Sequence, residues 1–203
     1  MLGYWNKSVY ITYLGAFLAI CGYLLFLKTG NIDYSFVGMI LAAVCDMFDG
    51  KVARSMKNRT EQEKNFGVEI DSLADVICFI TIPALTIYFF GLENWYQIIL
   101  LAFYVVCGIV RLAYFNVAMS DKDKAIKEYQ GLPVPMSILI FGFVWLLTKV
   151  LTFDVSLVYT FLVPLVGYLH ISKIKIKKYT GNWFYITVCL VAVGAIILGL
   201  FVL

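Results

Sequence analysis

Four aspartates, Asp46, Asp49, Asp71 and Asp75, are the residues of this chain best placed to do chemistry. The first two lie in Asp46-Met47-Phe48-Asp49-Gly50-Lys51-Val52-Ala53-Arg54, and the last two in Gly67-Val68-Glu69-Ile70-Asp71-Ser72-Leu73-Ala74-Asp75. A polar-leaning spacer, Ser55 to Phe66, separates the two stretches, and long apolar runs flank them. A charged side chain at mid-bilayer costs about 3 kcal/mol on insertion scales, so four together need a reason. Helical spacing supplies one. Asp46, Asp49, Gly50, Ala53 and Arg54 recur at three- and four-residue steps and share one helix face, and Gly67, Asp71 and Asp75 share a face of the next helix. A hairpin of the two brings four carboxylates together near one membrane surface. Left uncompensated they repel one another. Hard divalent cations with oxygen ligands remove the repulsion, and Mg²⁺ is typically held by a few carboxylates plus substrate phosphates. Two such ions can bridge a diphosphate and stabilise both the attacking and the leaving oxygen. Gly50 and Gly67 let a bulky ligand approach the backbone, and Arg54 offers a planar fork for a phosphate. A single intramembrane aspartate is readily read as a helix contact; this phased set of acids, glycines and one arginine is not.

The elements that must position these residues are membrane helices. The chain has 203 residues, 62% hydrophobic and only 14% charged, a length that suits one domain, residues 1–203. Apolar runs of eighteen or more residues recur, each long enough to span about 30 Å of hydrocarbon. They are too uniformly apolar for barrel strands. The expected fold is an all-α polytopic bundle of six to seven transmembrane helices, with spans near 8–27, 34–54, 67–90, 96–117, 134–151, 153–170 and 182–203. With the N-terminus cytosolic, thirteen lysines and arginines fall on the inner side (Lys7; Lys51, Arg54, Lys57, Arg59, Lys64; Lys122, Lys124, Lys127; Lys173, Lys175, Lys177, Lys178). Lys28 and Lys149 fall outside and Arg111 lies within a span. The positive-inside rule then puts the aspartates at the cytosolic face. Met1–Leu27 lacks a clear small-residue cleavage site and reads as a retained first helix rather than a signal peptide. The net charge of +3 says little by itself, and no nucleic-acid partner is expected.

The pattern Asp-x-x-Asp-Gly-x-x-Ala-Arg, a spacer, then Gly-x-x-x-Asp-x-x-x-Asp resembles the signature of the CDP-alcohol phosphatidyltransferases, filled by Asp46, Asp49, Gly50, Ala53, Arg54, Gly67, Asp71 and Asp75. The spacer is about four residues longer than is usual there, roughly one more helical turn at the mouth. Phe79 and Pro83-Ala84, Arg111-Leu112-Ala113-x-Phe115-Asn116, Gly131-Leu132-Pro133-x-Pro135 and Ser172-Lys173-Ile174-Lys175 are similar to the phosphatidylserine synthase branch. The resemblance covers roughly residues 8–178. It implies transfer of a phosphatidyl group from CDP-diacylglycerol to L-serine with release of CMP, two divalent cations (Mg²⁺ or Mn²⁺) on Asp46, Asp49, Asp71 and Asp75, and a homodimer in the cell membrane. It makes Asp75 the general base, and Gly50, Ala53, Arg54 and Gly67 the CDP pocket. L-Serine brings a carboxylate, for which Arg111, with Asn116 and the turn at Gly131, is the expected receiver; an arginine that snorkels to the interface is the competing reading. Another acceptor alcohol (inositol phosphate, glycerol phosphate or glycerol) is the alternative within the class, and a metal-ion transporter the alternative outside it.

The remaining features read structurally. Thr12 is expected to bond its own helix backbone. An asparagine expected a few residues on is replaced by Gly15 and Ala16, which weakens contact between the first span and a nucleotide. Tyr4, Trp5, Tyr10 and Tyr13 suit an interfacial belt. Cys21, Cys45, Cys78, Cys107 and Cys189 read as small buried hydrophobes. Pro83 should kink the third span, either to open a groove for lipid or as a packing irregularity. His170 is expected to pack at the interface. The loop Ala118–Leu132 should be solvated, and the lysines of Lys173–Lys178 either bind headgroups or mark topology.

Overall fold

The computed structural model describes residues 3–120, 128–177 and 182–201. Its helices are α1 (Lys7–Thr29), α2 (Asp33–Ser55), α3 (Glu61–Asp75), α4 (Ile82–Phe89), α5 (Trp95–Ser120), α6 (Pro135–Leu147), α7 (Val155–Ile171) and α8 (Asn182–Phe201). A π-helical turn, Val76–Thr81, joins α3 to α4. By length and composition three rods among the described residues can cross a bilayer: Lys7–Thr29, Glu61–Phe89 and Trp95–Ala118. Pro135–Leu147 and Val155–Ile171 are shorter apolar helices. The seven expected spans fall on seven helical rods. The third starts earlier, at Glu61 rather than residue 67, because Thr60 and Glu63 form a capping box that makes half the spacer helical.

Local chemistry sets the ends that matter. The Asn6 side chain accepts from Val9 N–H at the start of α1. Gly30, at φ 75°, ends it with its N–H on Phe26 O. α1 and α2 then cross closely on small residues: a Cβ added at Gly22 would stand 2.9 Å from Gly38 Cα. Close backbone approach on glycine is how helices associate where lipid supplies no hydrophobic drive between them.

The kink expected at Pro83 takes the form of the π turn. Pro83 has no N–H, so the Phe79 carbonyl loses its helical donor. Tyr104 Oη of α5 donates to Phe79 O at 2.6 Å, and Ser137 Oγ of α6 lies 3.2 Å from it. The freed carbonyl is thus satisfied by neighbouring helices, as a membrane interior requires. At the end remote from the aspartates, Asp33 is tied to Trp145 Nε1 (2.8 Å) and Lys149 Nζ (2.7 Å). That linkage pins α2 to α6.

One part of the fold is not helical. β1 (Glu128–Gln130) pairs antiparallel with β2 (Lys175–Lys177), Tyr129 opposite Ile176. The bundle is helical as expected, and the two-stranded ribbon is an addition that the expectation did not include. The cause is Gly131: at φ 75° it turns the chain so that its N–H meets Ile174 O and Leu132 N–H meets Leu169 O, each at 2.9 Å. Of the expected cytosolic charges, Lys122, Lys124, Lys127 and Lys178 lie outside the described residues. All five cysteines are free, Cys78 and Cys107 buried and the others half-buried.

Candidate active site

The aspartates of α2 and α3 converge as their spacing predicts. Asp46, Asp49 and Asp71 each offer a carboxylate oxygen, and the three atoms lie within 4.8 Å of one another. Asp75 stands outside that trio but lines the same space, only 8% exposed. Asp46, Asp49, Asp71 and Asp75, with Thr12, Gly15, Ala16, Ala42 and Cys78, enclose a niche of about 10 Å³, roughly the room one water or one ion needs. Above it, toward the loops, opens a cavity of about 380 Å³. Asp49, Asp71 and Asp75 line both spaces.

This donor set fits a hard divalent cation. Its ligands are carboxylate oxygens only, they are close enough to share an ion, and like charges at this separation need a counter-charge. Arg111 and Arg54 supply part of it from the protein, Arg111 acting on Asp46 and Asp75, and Arg54 on Asp49.

Thr12 differs from its expectation. Its hydroxyl is 2.6 Å from Asp49 Oδ2 but 3.3 Å from Ser8 O. One proton goes to the closer, charged acceptor, so α1 orients a carboxylate of α2. The close α1–α2 crossing makes this possible. Gly15 and Ala16, in place of the missing asparagine, form the niche wall, and a Cβ at Gly15 would stand 3.0 Å from Cys45 Cβ.

The larger cavity gathers Gly50, Ala53, Arg54 and Gly67 on one side and Arg111, Leu112, Phe115 and Asn116 of α5 on the other. Arg54 Nη1 lies 3.3 Å from where a Gly50 Cβ would be. Arg111 is 7% exposed, with its guanidinium 5.2 Å from the Phe115 ring centroid. It faces the bundle and does not snorkel. Asn116 Oδ1 accepts from Ser72 Oγ at 3.0 Å, linking α5 to the α3 acid face. Gly131 is not among the lining residues; its turn is seated on the His170 carbonyl. His170 itself is 1% exposed, deeper than interfacial packing requires. Its Nδ1 lies 2.9 Å from Leu132 O and must carry the proton, since a carbonyl only accepts. Residues that sequence reasoning did not single out also line the cavity: Ser8, Ser72, Arg59 and Lys64. Arg59 and Lys64 entered only as positive charges, although Arg59 directly precedes the capping box at Thr60.

An acidic trio beside an arginine-lined cavity, in a bundle with three rods long and apolar enough to cross a bilayer, fits the class of integral membrane proteins. Within that class its family is plain: residues 5–198 match the model of the CDP-alcohol phosphatidyltransferases, and the chain belongs to that family. It is 35% identical over 161 residues to the CDP-diacylglycerol–serine O-phosphatidyltransferase of Saccharomyces cerevisiae, covering 73% of this chain and 57% of that one. A protein of the same name from Methanocaldococcus jannaschii is 33% identical over 165 residues, 79% of this chain and 74% of its own length. The archaetidylserine synthase of Methanothermobacter thermautotrophicus is 38% identical over 122 residues, 59% of this chain and 50% of that one.

Proposed function

We propose that this protein transfers a phosphatidyl group from CDP-diacylglycerol to L-serine, giving phosphatidylserine and CMP. The observation that carries the reading is the carboxylate trio Asp46, Asp49 and Asp71, within 4.8 Å, opening on a cavity that Arg54 and Arg111 also line. The relatives' names supply the serine.

In this reading Arg54 and the bare backbone at Gly50 and Gly67 receive the CDP phosphates, with Ala53 leaving room beside them. Asp46, Asp49, Asp71 and Asp75 would hold two divalent cations, Mg²⁺ or Mn²⁺, which supply charge neutralisation for the diphosphate when bound. The serine hydroxyl oxygen attacks the lipid phosphorus. The P–O bond to CMP breaks, and CMP leaves with the electron pair. The hydroxyl proton passes to Asp75, which stands beside the trio rather than within it and reaches the cavity. Arg111 takes the serine carboxylate through its planar fork, and Asn116, held by Ser72, closes that side. Gly131 supports the pocket only from behind, through its turn. The reading includes a homodimer in the cell membrane with N-terminus and site facing the cytosol.

An ion path across the membrane is disfavoured by what lies along α2. Between Asp33 and Asp46 that helix buries Phe36, Met39, Ile40 and Ala42, and Asp33 is engaged by Lys149 and Trp145. The deciding experiment incubates purified protein with CDP-diacylglycerol, Mg²⁺ or Mn²⁺ and serine, inositol phosphate, glycerol phosphate or glycerol, then identifies the lipid formed. Phosphatidylserine with serine alone is expected; a product with another alcohol reassigns the acceptor.

A further inference from the structure

The lengthened spacer brings a second guanidinium to the cavity. Met56 ends α2, and the chain resumes as a helix at Glu61. The start of that helix is fixed on both sides. Thr60 N–H donates to Glu63 Oε2 at 2.8 Å while Glu63 N–H donates to Thr60 Oγ1 at 3.2 Å. Tyr4 Oη donates to Gln62 Oε1 at 2.6 Å, and the Tyr4 and Phe66 rings meet edge to face. The extra turn is therefore clamped by the N-terminal segment, and Arg59, the residue before the cap, has a set direction.

That direction is into the cavity. Arg59 is one of its lining residues. Its Nη1 lies 3.8 Å from where a Gly67 Cβ would be, just as Arg54 Nη1 lies 3.3 Å from the Cβ position of Gly50. Each of the two glycines thus has one guanidinium across the space its side chain would fill. Arg59 Nε is buried and makes no hydrogen bond among the described residues. A buried donor of this kind is normally satisfied by some partner. Lys64 also lines the cavity but spends its charge on Glu61, 2.9 Å away. Arg111 and Asn116 come from α5, a different element, and carry the proposed serine side.

We infer that Arg59 is a second diphosphate-binding residue, which closes on the CDP end of the donor opposite Arg54. The inference rests on the phosphatidyl-transfer reading above. Its ligand is the diphosphate itself, so soluble CDP, which lacks the diacylglycerol, is the probe.

CDP binding to the purified full-length protein in Mg²⁺ buffer is measured for the wild type, Arg59→Gln, Arg59→Lys and Lys57→Gln, an exposed spacer charge outside the lining. Loss of a hydrogen-bonded charge should weaken CDP about 10- to 100-fold in Arg59→Gln, with partial recovery in Arg59→Lys and no change in Lys57→Gln. KM for CDP-diacylglycerol should rise in parallel while KM for serine stays fixed, and thermal unfolding should show Arg59→Gln folded. Equal CDP affinity in Arg59→Gln and wild type overturns the inference, as does a rise confined to the KM for serine, or equal weakening in Lys57→Gln. A wild type that binds no CDP would instead overturn the phosphatidyl-transfer reading.

Discussion

Asp49 shows how a single residue is prepared for its work. It is 6% exposed and accepts from Thr12 at 2.6 Å across two helices. Thr12→Val preserves shape and removes the donor. A hydrogen bond to a charged group contributes about 1.5–3 kcal/mol, so turnover should fall about tenfold or more, read from initial rates at saturating substrate; an unchanged rate means that the pair does not orient the acid. The acids themselves should be less forgiving. Asp46→Asn, Asp49→Asn and Asp71→Asn each remove a ligand from the trio, and transfer should be abolished, as it should be by EDTA. Full activity in metal-free buffer would sink the mechanism. Asp75→Asn should cost turnover more than CDP-lipid affinity if Asp75 is the base; a parallel fall in both makes it mainly a ligand. Arg111 faces the cavity rather than the interface, so Arg111→Ala should raise KM for serine at least tenfold and spare CDP-diacylglycerol. Arg111→Lys should fail as well, because a point charge lacks the fork.

At the scale of elements, two helices were legible because their acids recur at helical spacing, and the trio follows once those helices pair as a hairpin. What was not legible depends on partners distant in sequence. Thr12 could have bonded its own backbone, and only the α1–α2 crossing on Gly22 and Gly38 brings Asp49 closer than Ser8 O. Pro83 announced a kink but not its form. The π turn is tolerated because Tyr104 and Ser137, 25 and 58 residues away from Phe79, can donate to the stranded carbonyl. The β ribbon was hidden because it joins segments on either side of two helices, through a glycine whose φ no side-chain pattern reports. The π turn begins one residue after Asp75, so its integrity should bear on catalysis. Tyr104→Phe alone leaves Phe79 O to Ser137, whose hydroxyl must turn from Val134 O at 2.6 Å to reach it at 3.2 Å, and stability should fall only modestly. Adding Ser137→Ala strands a buried carbonyl at a cost of about 1–3 kcal/mol. The double variant should therefore lose more in thermal unfolding than the two single variants together, with turnover falling alongside. Simple additivity would mean that the carbonyl finds another donor.

For the molecule as a whole, the decisive asymmetry is charge at the two ends of the bundle. The aspartate end carries Lys7, Lys51, Lys57, Lys64, Lys173 and Lys175 along with Arg54 and Arg59, whereas the far end carries Lys28 and Lys149. Lys149 is held 2.7 Å from Asp33. Acidic residues such as Glu61 and Glu63 do little to offset the asymmetry, since orientation follows lysine and arginine rather than net charge. Aromatic side chains mark both surfaces: Trp5 and Tyr10 are exposed where α1 begins, Trp95 and Tyr96 where α5 begins. Because α1 and α5 start at opposite ends, these form two belts with the apolar rods between them. The arrangement predicts sidedness directly. Asn58 sits in the spacer beside the cavity and Glu93 in the loop before α5, both exposed. The native cysteines lie along apolar helices and should give little background. A membrane-impermeant maleimide should label Asn58→Cys only in inverted vesicles and Glu93→Cys only in intact cells. Reversed labelling would turn the site outward, away from the cytosolic serine that the proposed reaction needs. Labelling of both from one side would mean that the rods between them do not cross the membrane, and the two-belt reading would fall with it.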